Sequence, residues 1–489
     1  MAFAPVPRLI LPAISCCLLV MAPDSSCRAS DLVEAAPLTD QIVLLRFHDG
    51  YIEYHGYGQK SEQDTTFIDP LDLTRAASRE TYSISSADDA AYASSVQPTL
   101  VGRKSKAKDF SRKCQWDGSA CVNEIVFEHL IYLVLPSRLR SANTYRVGIG
   151  GLARNLEAAS IHFDEKWTRS EAIHVNQVGY LPDCDSKFGY VSHWMGDLEG
   201  LSLDDRAGAR FEILEAPSRQ PVYAGSMSLR YRKTQRETGQ STDTPGGNFT
   251  NADVWECDFS AFRKPGEYVL TVQGIGCSFP FEIGSQVYRE AFYLTARALY
   301  HQRASLPLED RYTDWPRPAD HSPTANGTSI RYTPLRFMDQ TTESGIKEEV
   351  YSHLANGNLE SYGWYHDAGD WDGYPSHSVV PKSLMTICGL APDRFLDGEL
   401  SLPESGNGIP DIIDEAAWLV YYYRRNVGPT GGVFGSRITG DLAGGDKDGV
   451  PSWEDSREWI AFGEEPLASF DYAGMAAQLA YCLRQVDAL

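Results

Sequence analysis

The chain is short of positive charge, of long apolar runs and of paired cysteine motifs. Lys and Arg total 44 against 66 Asp and Glu, a formal charge of −22 over 489 residues. That balance disfavours nucleic acid or an anionic membrane surface as a partner, and a neutral or cationic ligand fits better. No segment after the first thirty residues is long and apolar enough for a membrane helix, so no transmembrane segment is expected. Of ten cysteines, Cys16, Cys17 and Cys27 lie in the first thirty residues, leaving seven, an odd number that keeps at least one thiol unpaired. None has the Cys-x-x-Cys spacing of a structural zinc site. Cys114 and Cys121 could close a small loop, and Cys257 and Cys277 sit in strand-like stretches that could lie adjacent.

What is present starts with a leader. Arg8 supplies a positive charge, Leu9 to Ala22 an apolar run too short to span a bilayer, and Cys27-Arg28-Ala29 a cleavage region. Residues 1–30 therefore read as a signal peptide, and the protein is expected to be secreted or periplasmic. Ala13-Ile14-Ser15 precedes Cys16, but the apolar run is short and lipid anchoring is not expected. With 42% hydrophobic and 22% charged residues, the remainder can bury several cores. The 11% aromatic content is compatible with carbohydrate stacking, and equally with large β-sandwich cores.

Residues 31–169 are strand-like. Gln41 to Phe47 and Glu124 to Leu135 are rich in β-branched and aromatic residues, and Thr144 to Ile149 alternates at period two, which predicts a β-sandwich of unknown role. The Ser- and Lys-rich region around Lys104-Ser-Lys-Ala-Lys108 reads as a long solvated loop. Residues 170–285 predict a second, immunoglobulin-like sandwich, with short strands at Phe211 to Leu214, Val254 to Phe259 and Glu267 to Val272. A Thr-, Gly- and Ser-rich insertion lies between Lys233 and Asn251.

From residue 286 the period becomes helical. Val287, Ala291, Leu294 and Ala298, with Tyr288, Phe292, Thr295 and Leu299, outline one apolar face. A long irregular stretch, about 304–360, follows, in which Trp315, Asp320 and His321 are candidates for a cleft wall. Further on, Pro410 fits a first helical turn, and Asp411, Asp414 and Glu415 complement the positive end of the helix dipole. Ile412, Ile413, Ala416, Val420 and Tyr421 form its apolar stripe, Gly428 and Pro429 its stop, and Ala473 to Leu483 begins another helix. Asp446 and Asp448 could touch calcium, but most of the twelve-residue ligand pattern is missing.

The densest chemistry lies at Ser361 to Tyr374. Asp367 and Asp370 are separated only by Ala368 and Gly369, small residues that let both carboxylates face one point. Trp364, Tyr365, Trp371 and Tyr374 flank them as substrate-binding candidates. A sugar would stack its C–H face on such rings and hydrogen-bond its hydroxyls to the carboxylates. The same acidic run also reads as a solvated turn or a calcium loop.

Gly363-Trp364 with Asp367-Ala368-Gly369-Asp370 resembles the Asp-Ala-Gly-Asp signature of glycoside hydrolase family 9, the family of many cellulases. Three further stretches resemble the same family in the same order. They are His174 to Pro182, like the opening strand of its N-terminal immunoglobulin-like module; Tyr300-His-Gln-Arg303, like an early helix ending; and Asn407 to Trp418, like the helix start after the signature. The resemblance covers residues from about 172 onward. It implies an (α/α)6 catalytic barrel, with Asp370 as the catalytic general base and Asp367 as its partner in holding the nucleophilic water. Tyr365-His366 places one residue more between Trp364 and Asp367 than the commonest family spacing.

The resemblance further implies a polysaccharide or oligosaccharide substrate, β-linked glucan first, cleaved with inversion by two carboxylates. No cofactor is required, no metal ligand is assigned, and a structural calcium stays open. The family's general acid is a Glu near the end of the catalytic domain. No position here matches it, and Glu454, Glu458, Glu464 and Glu465 lack the context. Residues 287 to 489 supply about half of the length that six helical hairpins need. The catalytic domain, 286–489, is thus expected to be partial and the 489-residue form a poor hydrolase. Two alternatives stay open, a non-catalytic carbohydrate-binding protein on the same fold and a calcium-dependent surface protein.

Overall fold

Strand pairing begins at Asp31. The computed structural model describes residues 30–54, 64–111, 124–236, 248–342, 345–357, 359–368, 371–372, 375–439, 451–455 and 458–488. The leader expectation, Cys114 with Cys121, most of the 233–251 insertion and the Asp446–Asp448 calcium candidate lie outside these residues. The chain forms two units, one built mainly from residues up to 281 and one mainly from residues 282–489.

In the first unit, Asp31–Thr39, Ile42–His48, Glu124–Val134 and Leu100–Ser111 pair in that order as a four-stranded sheet. Ser83–Ser85, Asn143–Gly148 and Ala158–Phe163 make a three-stranded one. Val43, Leu45 and Phe47 from the first sheet share a core with Ile84, Tyr145, Val147 and Ile161 from the second. Their alternation is what period-two patterning predicts for a face turned inward.

The Lys-rich stretch corrects the sequence reading, because Lys104 to Lys108 lies within the twelve-residue strand Leu100–Ser111. It is an edge strand of its sheet, where charged side chains are tolerated and block further pairing. Lys104 Nζ donates to the Trp194 carbonyl and Lys106 pairs with Glu128.

The second module of this unit has Ile173–His174, Phe188–Val191, Val254–Asp258 and Ser228–Tyr231 in one sheet. Pro221–Ser226, Arg210–Glu215, Gly266–Val272 and Gly276–Cys277 form the other. Cys257 stands opposite Gly189 in the first sheet and Cys277 opposite Thr271 in the second. They therefore do not sit on adjacent strands, and both are free and buried. The two modules are joined by polar contacts. Arg206 pairs with Asp40, Tyr132 Oη lies 3.0 Å from His193 Nε2, and Ser170 Oγ donates to the Leu38 carbonyl at 2.6 Å.

The second unit is helical. Arg289–His301, Val379–Leu390, Asp411–Arg425 and Pro466–Ala488 are its long helices. The last three share a core of Leu384, Met385, Ile412, Ala416, Val420, Met475 and Leu479, capped by Trp364, Tyr422 and Tyr423. The expected apolar faces of two helices change, and on the first Tyr288, Thr295 and Ala298 are exposed. Tyr421 is exposed while Tyr422 and Tyr423 are fully buried, and Leu294 is exposed while Ala296 and Tyr300 carry the buried side of the first helix. That helix turns its stripe toward Leu308, Leu400 and Leu402. The irregular stretch also holds a strand, Ile330–Tyr332, parallel to Trp459–Ala461, which pairs antiparallel with Arg437–Thr439.

Candidate functional site

His366–Ala368 and Trp371–Asp372 form a two-stranded hairpin, with His366 opposite Asp372 and Ala368 opposite Trp371. Asp367 thus lies on a short strand. Only the backbone of Asp367 and Trp371 is described, and Asp370 and Tyr374 lie outside the described residues. The described neighbours show how the hairpin is held.

The peptide entering it is clamped on both sides. Gly363 adopts φ +100°, a conformation a side chain would strain. Arg425 donates to the Tyr362 carbonyl at 2.9 Å, and the fully buried Arg437 donates to the carbonyls of Ser361 and His321. Ala304 N–H donates to the Trp364 carbonyl and His366 N–H to the Gln302 carbonyl, so the loop after the first helix runs alongside the signature.

Trp364 and Tyr365, expected to stack on substrate, are 0% and 3% exposed. Neither presents a ring face to solvent, which corrects that expectation. Trp364 packs edge-on against Tyr422 and Tyr423, and its indole N–H donates to His377 Nδ1 at 2.7 Å. The Tyr365 hydroxyl donates to Glu415 Oε1 at 2.7 Å, and burial followed by the Glu415 charge raises its pKa well above the ordinary value. The residue that lengthens the spacing before Asp367 thus reaches inward.

Glu415 meets Arg303, and both side chains are completely buried. Arg303 Nη2 and Glu415 Oε2 are 3.1 Å apart, off the hydrogen-bonding direction, while Nε donates to Oε1 at 3.3 Å. Glu404 takes two more bonds from Arg303 Nη1, at 2.9 and 3.1 Å. Burial would lower the Arg303 pKa, but Glu415 and Glu404 outweigh it and hold the guanidinium charged. The Trp418 ring lies 4.8 Å from this guanidinium, and its indole N–H donates to the Trp364 carbonyl at 2.9 Å. Three stretches far apart in sequence, around Arg303, Trp364-Tyr365 and Glu415-Trp418, therefore converge on one knot. Its buried charges were invisible in the sequence, where Arg303 and Glu415 read as parts of helix ends.

Behind the hairpin, Asp320 is fully buried and accepts four donors. These are Ser305 N–H at 2.7 Å on Oδ1, and Arg317 Nη1 at 2.5 Å, Ser452 Oγ at 2.6 Å and His366 Nε2 at 3.0 Å on Oδ2. Burial alone would raise the Asp320 carboxyl, but His366 and Arg317 hold it well below the usual carboxylate range. Asp320 and His321, expected on a cleft wall, are instead buried beneath the signature, whereas Trp315 is 74% exposed. Asp320, His321 and His366 bring one possible ligand atom each within 4.8 Å of one another. Asp320 already has an internal counter-charge in Arg317, so a cation there would compete with the guanidinium.

Fold and site define a class, an immunoglobulin-like module followed by a helical unit. Residues 168–277 match the family model described as the cellulase N-terminal ig-like domain. The chain is 28% identical over 272 residues to a cellulose 1,4-beta-cellobiosidase of Acetivibrio thermocellus, covering 52% of this chain and 26% of that protein. It is 27% identical over 248 residues to a xyloglucan-specific endo-beta-1,4-glucanase of Bacteroides ovatus, covering 50% and 35%. Among solved structures, a GH9 protein of Bacteroides ovatus aligns with 25% identity and a TM-score of 0.47, over 63% of this chain and 48% of that one. The chain thus carries a cellulase-type immunoglobulin-like domain and is similar over about half its length to glycoside hydrolase family 9 enzymes. It spans 26% and 35% of the two curated relatives.

Proposed function

We propose that the protein is an exported glycoside hydrolase acting on β-linked glucan or a related polysaccharide, through an inverting mechanism in which Asp370 is the general base. Asp367, three residues before it, helps to hold the attacking water. An inverting enzyme keeps base and acid about 6.5–9.5 Å apart so that water fits between base and sugar. Two carboxylates three residues apart in sequence suit the water side of that arrangement. The observation that carries the reading is the knot of Arg303, Tyr365, Glu415 and Trp418, which ties the segment entering the signature hairpin to the helix Asp411–Arg425 and to the loop after Arg289–His301. A catalytic carboxylate needs such support, because positioning and not acidity alone sets its rate contribution. Trp371 and Tyr374 remain the sugar-stacking candidates, since Trp364 and Tyr365 are committed to the core. The general acid is not assigned to a residue of this chain.

The test measures reducing ends released from soluble β-1,4-glucan by the wild type and by Asp370→Asn. Slow release is expected from the wild type, and a further fall of about 10²–10⁴-fold in the variant, the range typical of losing a general base. Equal rates would remove Asp370 from the mechanism. Glycan binding without release by the wild type would favour a non-catalytic binding protein on the same scaffold.

A further inference from the structure

The first β module contains a row of three side chains that the glycan site does not use. Ser105, on the edge strand Leu100–Ser111, stands directly opposite His129 on Glu124–Val134. Its hydroxyl oxygen lies 2.7 Å from His129 Nδ1. On the far side of the ring, Nε2 lies 3.5 Å from Asp49 Oδ2. His129 is 5% exposed and Asp49 4%, while Ser105 is open to solvent. The other Asp49 oxygen accepts the Phe127 N–H at 2.5 Å, and the Asp49 N–H donates to the Phe127 carbonyl, so the carboxylate is fixed on its loop. The Phe127 ring lies 6.1 Å from the imidazole at 24° and backs it.

Proton placement follows from this geometry. An ionised carboxylate only accepts, so the ring proton belongs on Nε2, facing Asp49. Nδ1 is then a free acceptor, and Ser105 must be the donor in the short bond. Burial lowers the His129 pKa and Asp49 only partly offsets it, which favours the neutral ring. The two ring nitrogens exchange the places they have in the best-known serine hydrolases, but the roles are recognised by geometry and not by atom label.

We propose that Ser105, His129 and Asp49 form a second, acyl-transfer site for small accessible esters, with Ser105 as nucleophile, His129 as general base and Asp49 as the residue that positions the ring. Ser105 Oγ attacks the ester carbonyl carbon as its proton passes to His129 Nδ1. The carbon–oxygen bond to the alcohol breaks, and the alcohol leaves with that proton. Water then attacks the acyl-serine, giving one proton to Nδ1, and the carboxylic acid departs as the proton returns to Ser105. The net change is ester plus water to acid plus alcohol, with no further reactant. The site is independent of the glycosidase reading and gives the first module a chemical role of its own.

The test treats the intact chain with a fluorophosphonate probe, locates the adduct by peptide mass, and follows p-nitrophenyl acetate hydrolysis in parallel. One adduct is expected, on the peptide containing Ser105, and protein unfolded in urea should lose it. Ser105→Ala, a surface change, should abolish both signals with an unaltered circular dichroism spectrum. His129→Gln should slow labelling by about 10²-fold or more, as expected for loss of a general base. Should His129→Gln not fold, the urea comparison and Ser105→Ala still decide. Folded wild type without a Ser105 adduct, labelling that persists in urea, or ester hydrolysis unchanged in Ser105→Ala would each overturn the proposal.

Discussion

Replacing Glu415 by Gln keeps the side-chain shape and removes one charge from a pair in which neither side chain is exposed. Arg303 would keep Glu404 as a partner, through two bonds at 2.9 and 3.1 Å, but the Glu404 side chain is 34% exposed and its charge is partly screened by water. Breaking a buried ion pair by removing one partner costs about 3–5 kcal/mol, and the surviving carboxylate places this case near the lower end, about 3 kcal/mol. For a cooperative unit of roughly 150–250 residues, each kcal/mol moves the melting temperature by about 2–4 °C, so a fall of about 6–12 °C is expected in the helical transition. Ellipticity at 222 nm follows that transition. Hydrogen exchange should show peptides covering 361–368 and 411–425 opening together, since Tyr365 and Glu415 share the knot. A shift worth less than about 1 kcal/mol, the scale of an exposed ion pair, would refute the claim that this knot anchors the hairpin.

Two pH predictions follow from other, partly buried groups. Burial, then the Glu404 charge, pushes Asp414 up to about 6 against the amide of Asn407. A group whose pKa is raised by folding contributes most below its ordinary value of 3.8, and that contribution is lost as pH rises through about 6. Asp414→Asn should therefore flatten the fall in stability of the helical unit across that window, and an unchanged profile by urea titration would count against the assignment. His193 is pulled down to about 4, first by burial and then by the charges of Lys104 and His174. Its contribution is complete above the ordinary 6.5 and is lost as pH falls through about 4, so His193→Gln should flatten the acid side of the β unit's profile above pH 4.5. His129 titrates in the same direction, and the variant reports only the share of His193.

The sequence was most legible where one periodicity governed a stretch. Ile412, Ile413, Ala416 and Val420 are buried as their spacing predicts. Reading failed where distant partners decide. Ile330–Tyr332 and Trp459–Ala461 are three-residue strands whose parallel pairing no local pattern announces. The Lys-rich strand reads as a loop because its charges sit on a sheet edge. Trp364 and Tyr365 looked like sugar platforms because aromatic residues beside carboxylates suit both a cleft and a core. Only the positions of Tyr422, Tyr423 and Glu415 show that these two rings belong to the core. Arg303, Glu415 and Asp320 were missed as a group, since a buried ion pair leaves no periodic trace.

The most direct test of the central claim is the anomeric configuration of the first product, followed by proton NMR in the opening minutes of digestion of a soluble β-1,4-glucan. A water positioned by Asp370 and Asp367 on the face opposite the leaving group gives the α-anomer first, with the β-anomer appearing only at the rate of mutarotation. A β-anomer formed first would mean retention through a covalent intermediate, and would contradict the assignment of the signature hairpin as the water-activating side of the site.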